Sequence, residues 1–178
     1  MFTFVLGGAR SGKSKYAEAM AVGAEARGLT VHYIATAQAF DDEMSSRIAK
    51  HRKSRPQHWV THEVPINVSD LLTLIPSNSV VLIDCITIWI SNHMMAADTV
   101  GTSSEATYDD SVIHLLKTIS EFAGEVIAVS NEVGSGIVPD NELARLFRDV
   151  AGRANQQLAA AAERVYFMVS GLPIILKS

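Results

Sequence analysis

The chain has 178 residues, 48% of them hydrophobic, enough for a sizeable core and of a length that fits one domain. A formal net charge of −4 excludes a global basic field for nucleic acid, and the lone cysteine, Cys85, excludes an internal disulfide and fits a reducing cytoplasm. No apolar run approaches the ~20 residues that cross a bilayer; the longest, Val80–Ile83 and Ile86–Ile90, is broken by Asp84 and Thr87.

Strand-like and helix-like segments alternate along the chain. Phe2–Leu6 is apolar and β-branched and reads as a buried strand, placed so early that no signal peptide is expected before it. The turn Gly7-Gly8-Ala9-Arg10-Ser11-Gly12-Lys13-Ser14 follows, and Lys13–Arg27 reads as a helix. Further strands are expected at Val31–Ala35, Trp59–Glu63, Val80–Asp84, Val126–Ser130 and Val165–Val169. Further helices are expected at Asp41–Arg52, Val68–Ile75, Tyr108–Phe122 and Asn141–Glu163. Met94–Ala106 is small and polar and reads as a mobile loop. The strands are continuous Val/Ile/Leu runs, as in a parallel sheet covered on both faces, so the expected fold is a doubly wound α/β domain. Ligands of such sheets lie at the carboxyl ends of the strands.

Gly7–Ser14 fits G-x-x-x-x-G-K-[ST] in the strand–turn–helix context that the pattern requires. Backbone N–H groups of the turn and the positive end of the helix dipole suit a polyphosphate. Lys13 would reach the β- and γ-phosphates, and the Ser14 hydroxyl would bind Mg²⁺. The chain is therefore expected to bind a nucleoside triphosphate. Val80-Val81-Leu82-Ile83 ends in Asp84, which reads either as an acid holding Mg²⁺ or as a cap opening the next segment.

Between Gln38 and Gln57 charges crowd together, and Glu43, Arg47 and His51 share one helix face. The segment reads either as a solvated, ion-paired face or as a flap whose run His51-Arg52-Lys53-Ser54-Arg55 clamps phosphate, with His51 as nucleophile. Asn131–Pro139, rich in glycine, is either a plain β–α loop or a place where backbone approaches a ligand. Arg145, Arg148, Asp149, Arg153 and Asn155 recur at helical spacing and read as an exposed or subunit-facing surface. His32 reads as a core histidine. His58, His62, His93 and His114 are scattered without zinc-site spacing, and no G-x-S-x-G element or Cys/His pair points to acyl chemistry.

Taken together, GGARSGKS, YIATA, DDEMSSRIAKHRKSRPQHW, the stretch Asp84–Trp89, NEVGSGIVP and LARLFRDVAGRANQQLAAAAERVYFMVSGLP resemble the bifunctional adenosylcobinamide kinase/adenosylcobinamide-phosphate guanylyltransferase family of cobalamin biosynthesis, from about Phe2 to Lys177. The resemblance implies a RecA-like P-loop NTPase fold, a mostly parallel sheet with helices on both faces, usually as a homotrimer. It implies ATP or GTP as phosphoryl donor to the aminopropanol hydroxyl of adenosylcobinamide. It then implies attack of a histidine on the α-phosphate of GTP and transfer of GMP to adenosylcobinamide-phosphate. The family's reactive histidine corresponds to His51. Its nucleotide contacts correspond to Gly7, Gly8, Ala9, Arg10, Ser11, Gly12, Lys13, Ser14, Ala35, Thr36, Ala37, Arg52, Lys53, Ser54, Arg55, Glu63 and Asp84, with Ser14 and Asp84 at Mg²⁺. A kinase without nucleotidyl transfer and a non-catalytic nucleotide-gated switch are the competing readings.

Overall fold

Strands that are apolar at successive positions must be covered on both faces, and this chain arranges its helices accordingly. The computed structural model describes residues 1–39, 52, 55–99, 101–102 and 104–178. The strands are β1 (Phe2–Gly7), β2 (Thr30–Ala35), β3 (Val60–Glu63), β4 (Ser79–Asp84), β5 (Glu125–Asn131), β6 (Arg164–Val169) and β7 (Leu172–Lys177). The helices are α1 (Lys13–Glu25), α2 (Val68–Leu74), α3 (Ile86–Thr99), α4 (Glu105–Glu121) and α5 (Glu142–Ala161). The strands form one sheet in the order β3-β2-β4-β5-β1-β6-β7, parallel except for β7, which returns antiparallel to β6. Gly7, Ala35, Glu63, Asp84, Asn131 and Val169 therefore all end on one edge of the sheet.

Successive residues of each strand supply opposite cores. Phe4, Ile34, Val81, Ile83 and Ala128 pack against α2, α3, α4 and α5. Val5, Tyr33, Leu82 and Val129 pack against α1, whose Ala17, Ala21 and Ala24 recur at i, i+4 and i+7 without exposure. Three alanines in that row let the helix lie close to the sheet and aim its first turn at the edge where the strands end.

Two expectations fail. Met94–Ala106 is not a loop: α3 continues to Thr99 and α4 begins at Glu105, capped by Ser104, whose hydroxyl accepts the Thr107 N–H (3.1 Å). Ile86, Ile90, Met94 and Ala97 form the buried stripe of α3 at helical spacing, obscured in sequence by the small polar residues on the other face. Strand β7 is absent from the expected elements. It is made by the turn Ser170-Gly171, with φ of 52° and 84°, the left-handed pair that a two-residue hairpin needs. Elsewhere the bounds move by a few residues, and the expected helix Asp41–Arg52 lies, except for Arg52, outside the described residues. Among the described residues no helix is long and apolar enough to cross a membrane.

Candidate active site

The site begins where β1 runs out. Gly7 ends the strand, paired to Asn131 on one side and Met168 on the other. A Cβ on Gly7 would meet Ser11 Oγ at 2.4 Å and the Met168 carbonyl at 2.9 Å, so only glycine lets the turn fold back here. Arg10 (φ 58°) and Gly12 (φ 93°) are left-handed, which curls the backbone into a concavity of N–H groups before α1 starts at Lys13. The β6–β7 turn braces it: Gly171 N–H donates to the Ser11 carbonyl (2.9 Å), and a Cβ on Gly12 would lie 3.1 Å from Gly171 Cα.

Lys13 is buried, and its Nζ donates to the Gly8 carbonyl (3.0 Å), lying back across the turn it would share with phosphate. Burial holds its ammonium below the ordinary lysine value, while Cys85 and Asp84 oppose that shift. Burial, with Asp84 beside it, pushes the Cys85 thiol up to about 11, so it is uncharged at neutral pH and the counter-charge to Lys13 is Asp84.

Asp84 ends β4, separated from β1 by β5. Its Oδ2 accepts the Tyr33 hydroxyl at 2.6 Å. Burial, then the neighbouring carboxylate, pushes the Tyr33 phenol far above its ordinary value, so it remains a donor throughout the working range. Arg55 lies over the Tyr33 ring with Cζ 3.5 Å from the centroid, a cation–π contact, and its Nε is buried with no hydrogen-bond partner among the described residues. Tyr33 joins the candidate site, and the sequence reading does not single it out. The YIATA stretch contains it, but only the register of β2 on β4 brings its hydroxyl to Asp84.

The remaining candidates follow the same edge. Thr36 is fully buried; its hydroxyl donates to the Cys85 carbonyl and accepts the Cys85 N–H, both at 2.8 Å, while its own carbonyl accepts from Asn92 Nδ2 (2.8 Å). It ties β2 to the start of α3. Ala35 and Ala37 flank it. Glu63 ends the outermost strand, four strand spacings or about 19 Å from Gly7. Arg52 Nη1 lies 3.5 Å from Glu63 Oε1, both side chains largely exposed, a pair worth little by itself. His51, Lys53 and Ser54 lie outside the described residues.

The surface reading of the last helix is corrected in part. Asn155 is buried and its Nδ2 donates to the Asn131 carbonyl (3.1 Å), fixing the end of β5 from below. Thr87 Oγ1 accepts the Asn131 N–H (2.6 Å) and pairs with Ser130 Oγ (3.0 Å). Arg153 bridges to Glu105 and Asp109 of α4, whereas Arg145 and Arg148 hold the loop after β5. His32 is buried as expected, but against His62: Nδ1 and Nε2 are 3.0 Å apart with the rings stacked. Burial lowers the pKa of both, and His62 further disfavours charge on His32.

Among the described residues no three His, Cys, Asp or Glu side chains gather to hold a metal. A hydroxyl at Ser14 and one carboxylate oxygen of Asp84 are a hard, sparse donor set. It suits a Mg²⁺ completed by phosphate and water rather than a metal held wholly by protein.

A glycine cradle closing on a buried lysine at the head of a helix, with an acid ending a nearby parallel strand, defines a P-loop NTPase. The fold agrees: the chain is similar to the flagellar accessory protein FlaH of Methanocaldococcus jannaschii (TM-score 0.58, 15% identity, 99% of this chain and 77% of that one) and to a second solved ATPase domain (TM-score 0.56, 14% identity, 93% and 68%). More particularly, the chain belongs to the cobinamide kinase / cobinamide phosphate guanyltransferase family, whose profile matches residues 3–176. It is 45% identical to the bifunctional adenosylcobalamin biosynthesis protein CobP of Pseudomonas aeruginosa, over 99% of this chain and 98% of that protein. It is 42% identical to the CobU proteins of Salmonella typhimurium and Escherichia coli, over 99% of this chain and the whole of each.

Proposed function

We propose that residues 1–178 act as a single kinase and guanylyltransferase domain. In the first step the aminopropanol hydroxyl of adenosylcobinamide attacks the γ-phosphorus of ATP or GTP; the bond to the β-phosphate oxygen breaks and the nucleoside diphosphate leaves. In the second, a neutral His51 nitrogen attacks the α-phosphorus of GTP, forming a P–N bond as pyrophosphate departs. A phosphate oxygen of adenosylcobinamide-phosphate then displaces the histidine, giving adenosylcobinamide-GDP.

The turn Gly7–Ser14 cradles the β- and γ-phosphates, and Lys13 leaves the Gly8 carbonyl to pair with them. Mg²⁺, held by Ser14 and Asp84, supplies neutralisation of the charge spread over the transferring phosphoryl group. Arg52, Lys53 and Arg55 balance charge on the α-phosphate and on leaving pyrophosphate, and disfavour a proton on His51. Ala35, Thr36, Ala37 and Glu63 line the course of the nucleotide along the strand ends.

One observation carries this reading. Arg55, four residues after His51, rests on Tyr33, and Tyr33 bonds Asp84. The end of the histidine-bearing segment is thus tied to the proposed Mg²⁺ acid, two strands from the phosphate turn, or about 10 Å. Asp84 is also the counter-charge to Lys13, so the basic run after His51 and the phosphate turn work at one edge of the sheet. The exposed apolar edge strand β7 supports assembly as a homotrimer, and the unpaired, buried Cys85 supports work in the cytoplasm.

Incubation with GTP and Mg²⁺, without and then with adenosylcobinamide, followed by mass spectrometry of protein and corrinoid tests the proposal. One GMP is expected on His51, together with transfer of γ-phosphate to adenosylcobinamide. A kinase without nucleotidyl transfer would turn over γ-phosphate and acquire no GMP, and a nucleotide-gated switch would do neither.

A further inference from the structure

The loop between β5 and α5 leaves the sheet at the catalytic edge, because β5 lies between β1 and β4. Its first residue is joined to the last of β1, with Glu132 N–H donating to the Gly7 carbonyl (3.1 Å). The loop has no regular structure, yet its backbone is held from within. Glu132 Oε1 accepts the Gly134 N–H (2.5 Å) and the Ser135 hydroxyl (3.2 Å). Arg148 Nη2 donates to the Gly134 carbonyl (2.8 Å), and Arg145 Nη1 donates to the carbonyls of Pro139 (3.0 Å) and Asp140 (2.6 Å).

With the polar backbone turned inward, apolar side chains are pushed out. Ile137 is 98% exposed, Val138 60% and Leu143 62%. Large aliphatic groups held this openly on an ordered loop and on the first turn of α5 forgo the stabilisation that burial would bring, which marks a surface used for contact. Resting on the function proposed above, we infer that Ile137, Val138 and Leu143 form the platform on which the corrin macrocycle of the acceptor lies while its aminopropanol arm reaches the γ-phosphate.

The acceptor's chemistry and size select this surface. Its hydroxyl must come within about 3–3.5 Å of phosphorus at the phosphate turn. The bulky ring, apolar on its faces and fringed by amides, must then rest just outside the edge. Two cavities among the described residues do not offer this. One, of about 90 Å³ beside Trp89, His93 and His114, holds a few waters at most. The other, of about 360 Å³ beside Ser77, Phe122 and Ala123, precedes β4 and β5 and so lies at the opposite edge of the sheet. The loop after β5 presents aliphatic groups at the right edge, and Gly136, with open space where a side chain would stand, leaves room beside them for the ring's fringe.

The experiment replaces Ile137 and Val138 by serine in the full chain, with I137V/V138I as the conservative control. Three quantities are measured: GMP adduct formed from α-labelled GTP without corrinoid, KM and kcat for adenosylcobinamide, and sedimentation coefficient. The serine variant is expected to raise KM for adenosylcobinamide at least about tenfold, with kcat at saturation, adduct yield and sedimentation close to those of the unmodified protein; the control is expected to restore KM. An unchanged KM overturns the inference. So does a raised KM accompanied by altered sedimentation, which would assign the loop to subunit contact. Failure of the unmodified protein to form any adduct would instead overturn the covalent step proposed above, leaving the corrinoid KM of the kinase step to judge the platform.

Discussion

The turn between β1 and α1 and the margin made by β2 and β3 face the same edge of one sheet, but they are held in opposite ways. The turn is built of backbone: Ser11 N–H to the Gly8 carbonyl, Gly171 N–H to the Ser11 carbonyl, and strands β5 and β6 on either side of β1. The margin is built of side chains. Strand β3 is four residues long and outermost; beyond its short backbone ladder with β2, the margin is joined by Arg52 with Glu63, His62 with His32 and the stack of Arg55 on Tyr33. Gripping a polyphosphate asks for many fixed N–H donors, which backbone supplies most rigidly. Aiming a nucleophile at the α-phosphate asks for charge and imidazole, which only side chains supply. The kinase chemistry should therefore depend on a few indispensable groups and the nucleotidyl chemistry on a string of adjustable ones.

The largest effect is expected from Lys13→Ala, which removes the buried point charge in the backbone cradle. Both steps should fall by about 10³-fold or more, with the thermal unfolding profile little changed. Near-normal phosphorylation of adenosylcobinamide by this variant would show that the turn is not the phosphate site. His51→Ala separates the two regions cleanly: phosphorylation of adenosylcobinamide should remain measurable, while GMP adduct and adenosylcobinamide-GDP disappear. A GMP found on His58 or His62, or normal guanylyl transfer without His51, would place the nucleophile elsewhere.

Asp84→Asn keeps the shape and removes the carboxylate charge. Turnover should drop by about 10²-fold and recover in part as Mg²⁺ is raised; a flat response across the titration would leave Asp84 a cap. Tyr33→Phe keeps the platform under Arg55 and deletes the bond to Asp84, so the Mg²⁺ requirement should rise by about tenfold, the worth of one hydrogen bond to a charged group. Tyr33→Leu, which also removes the ring, should in addition weaken GMP adduct formation. Equal effects of the two variants on adduct yield would mean that the Arg55 stack contributes nothing.

The smallest effect concerns pH. His32 and His62 both have lowered pKa values in the folded chain, so folding favours their neutral forms. Their contribution to stability is full above the unfolded value near 6.5 and fades as pH falls below it, because the unfolded chain then binds more protons. Denaturant midpoints measured between about pH 7.5 and 5 should fall with pH, and H32Q/H62Q should flatten that slope. An unaltered slope would remove the pair from the margin's adjustable links.

Much of this is legible along the chain. A glycine pattern set between an apolar strand and a helix has a meaning that depends only on neighbouring residues, so the phosphate turn, Lys13 and Ser14 are readable without a fold. Five of the six expected strands are readable for the same reason, since buried parallel strands are locally apolar; β3, Val-Thr-His-Glu at an edge, is largely exposed and is marked only by its β-branched Val60 and Thr61. Helix α3 escapes altogether: its first half, Ile86–Ile90, reads only as an apolar run, and its second half has an outer face, with Ala96, Asp98 and Thr99, that looks like loop while the buried stripe is spread over three turns. Strand β7 escapes because an exposed edge strand carries no burial signal, and Pro173 argues against a strand except at an edge.

What the sequence determined by itself is therefore the local chemistry: a triphosphate cradle, an acid at a strand end, a histidine in a basic run and, through the family to which the chain belongs, the pair of reactions. Tertiary structure decided which of these groups meet. Strand order put β5 between the cradle and Asp84, register put the Tyr33 hydroxyl on Asp84, and the β6–β7 turn closed on Ser11. Each of these joins residues tens of positions apart, and such pairings arise from the packing of whole strands and helices. No window of the chain contains both partners, so no local pattern could announce them.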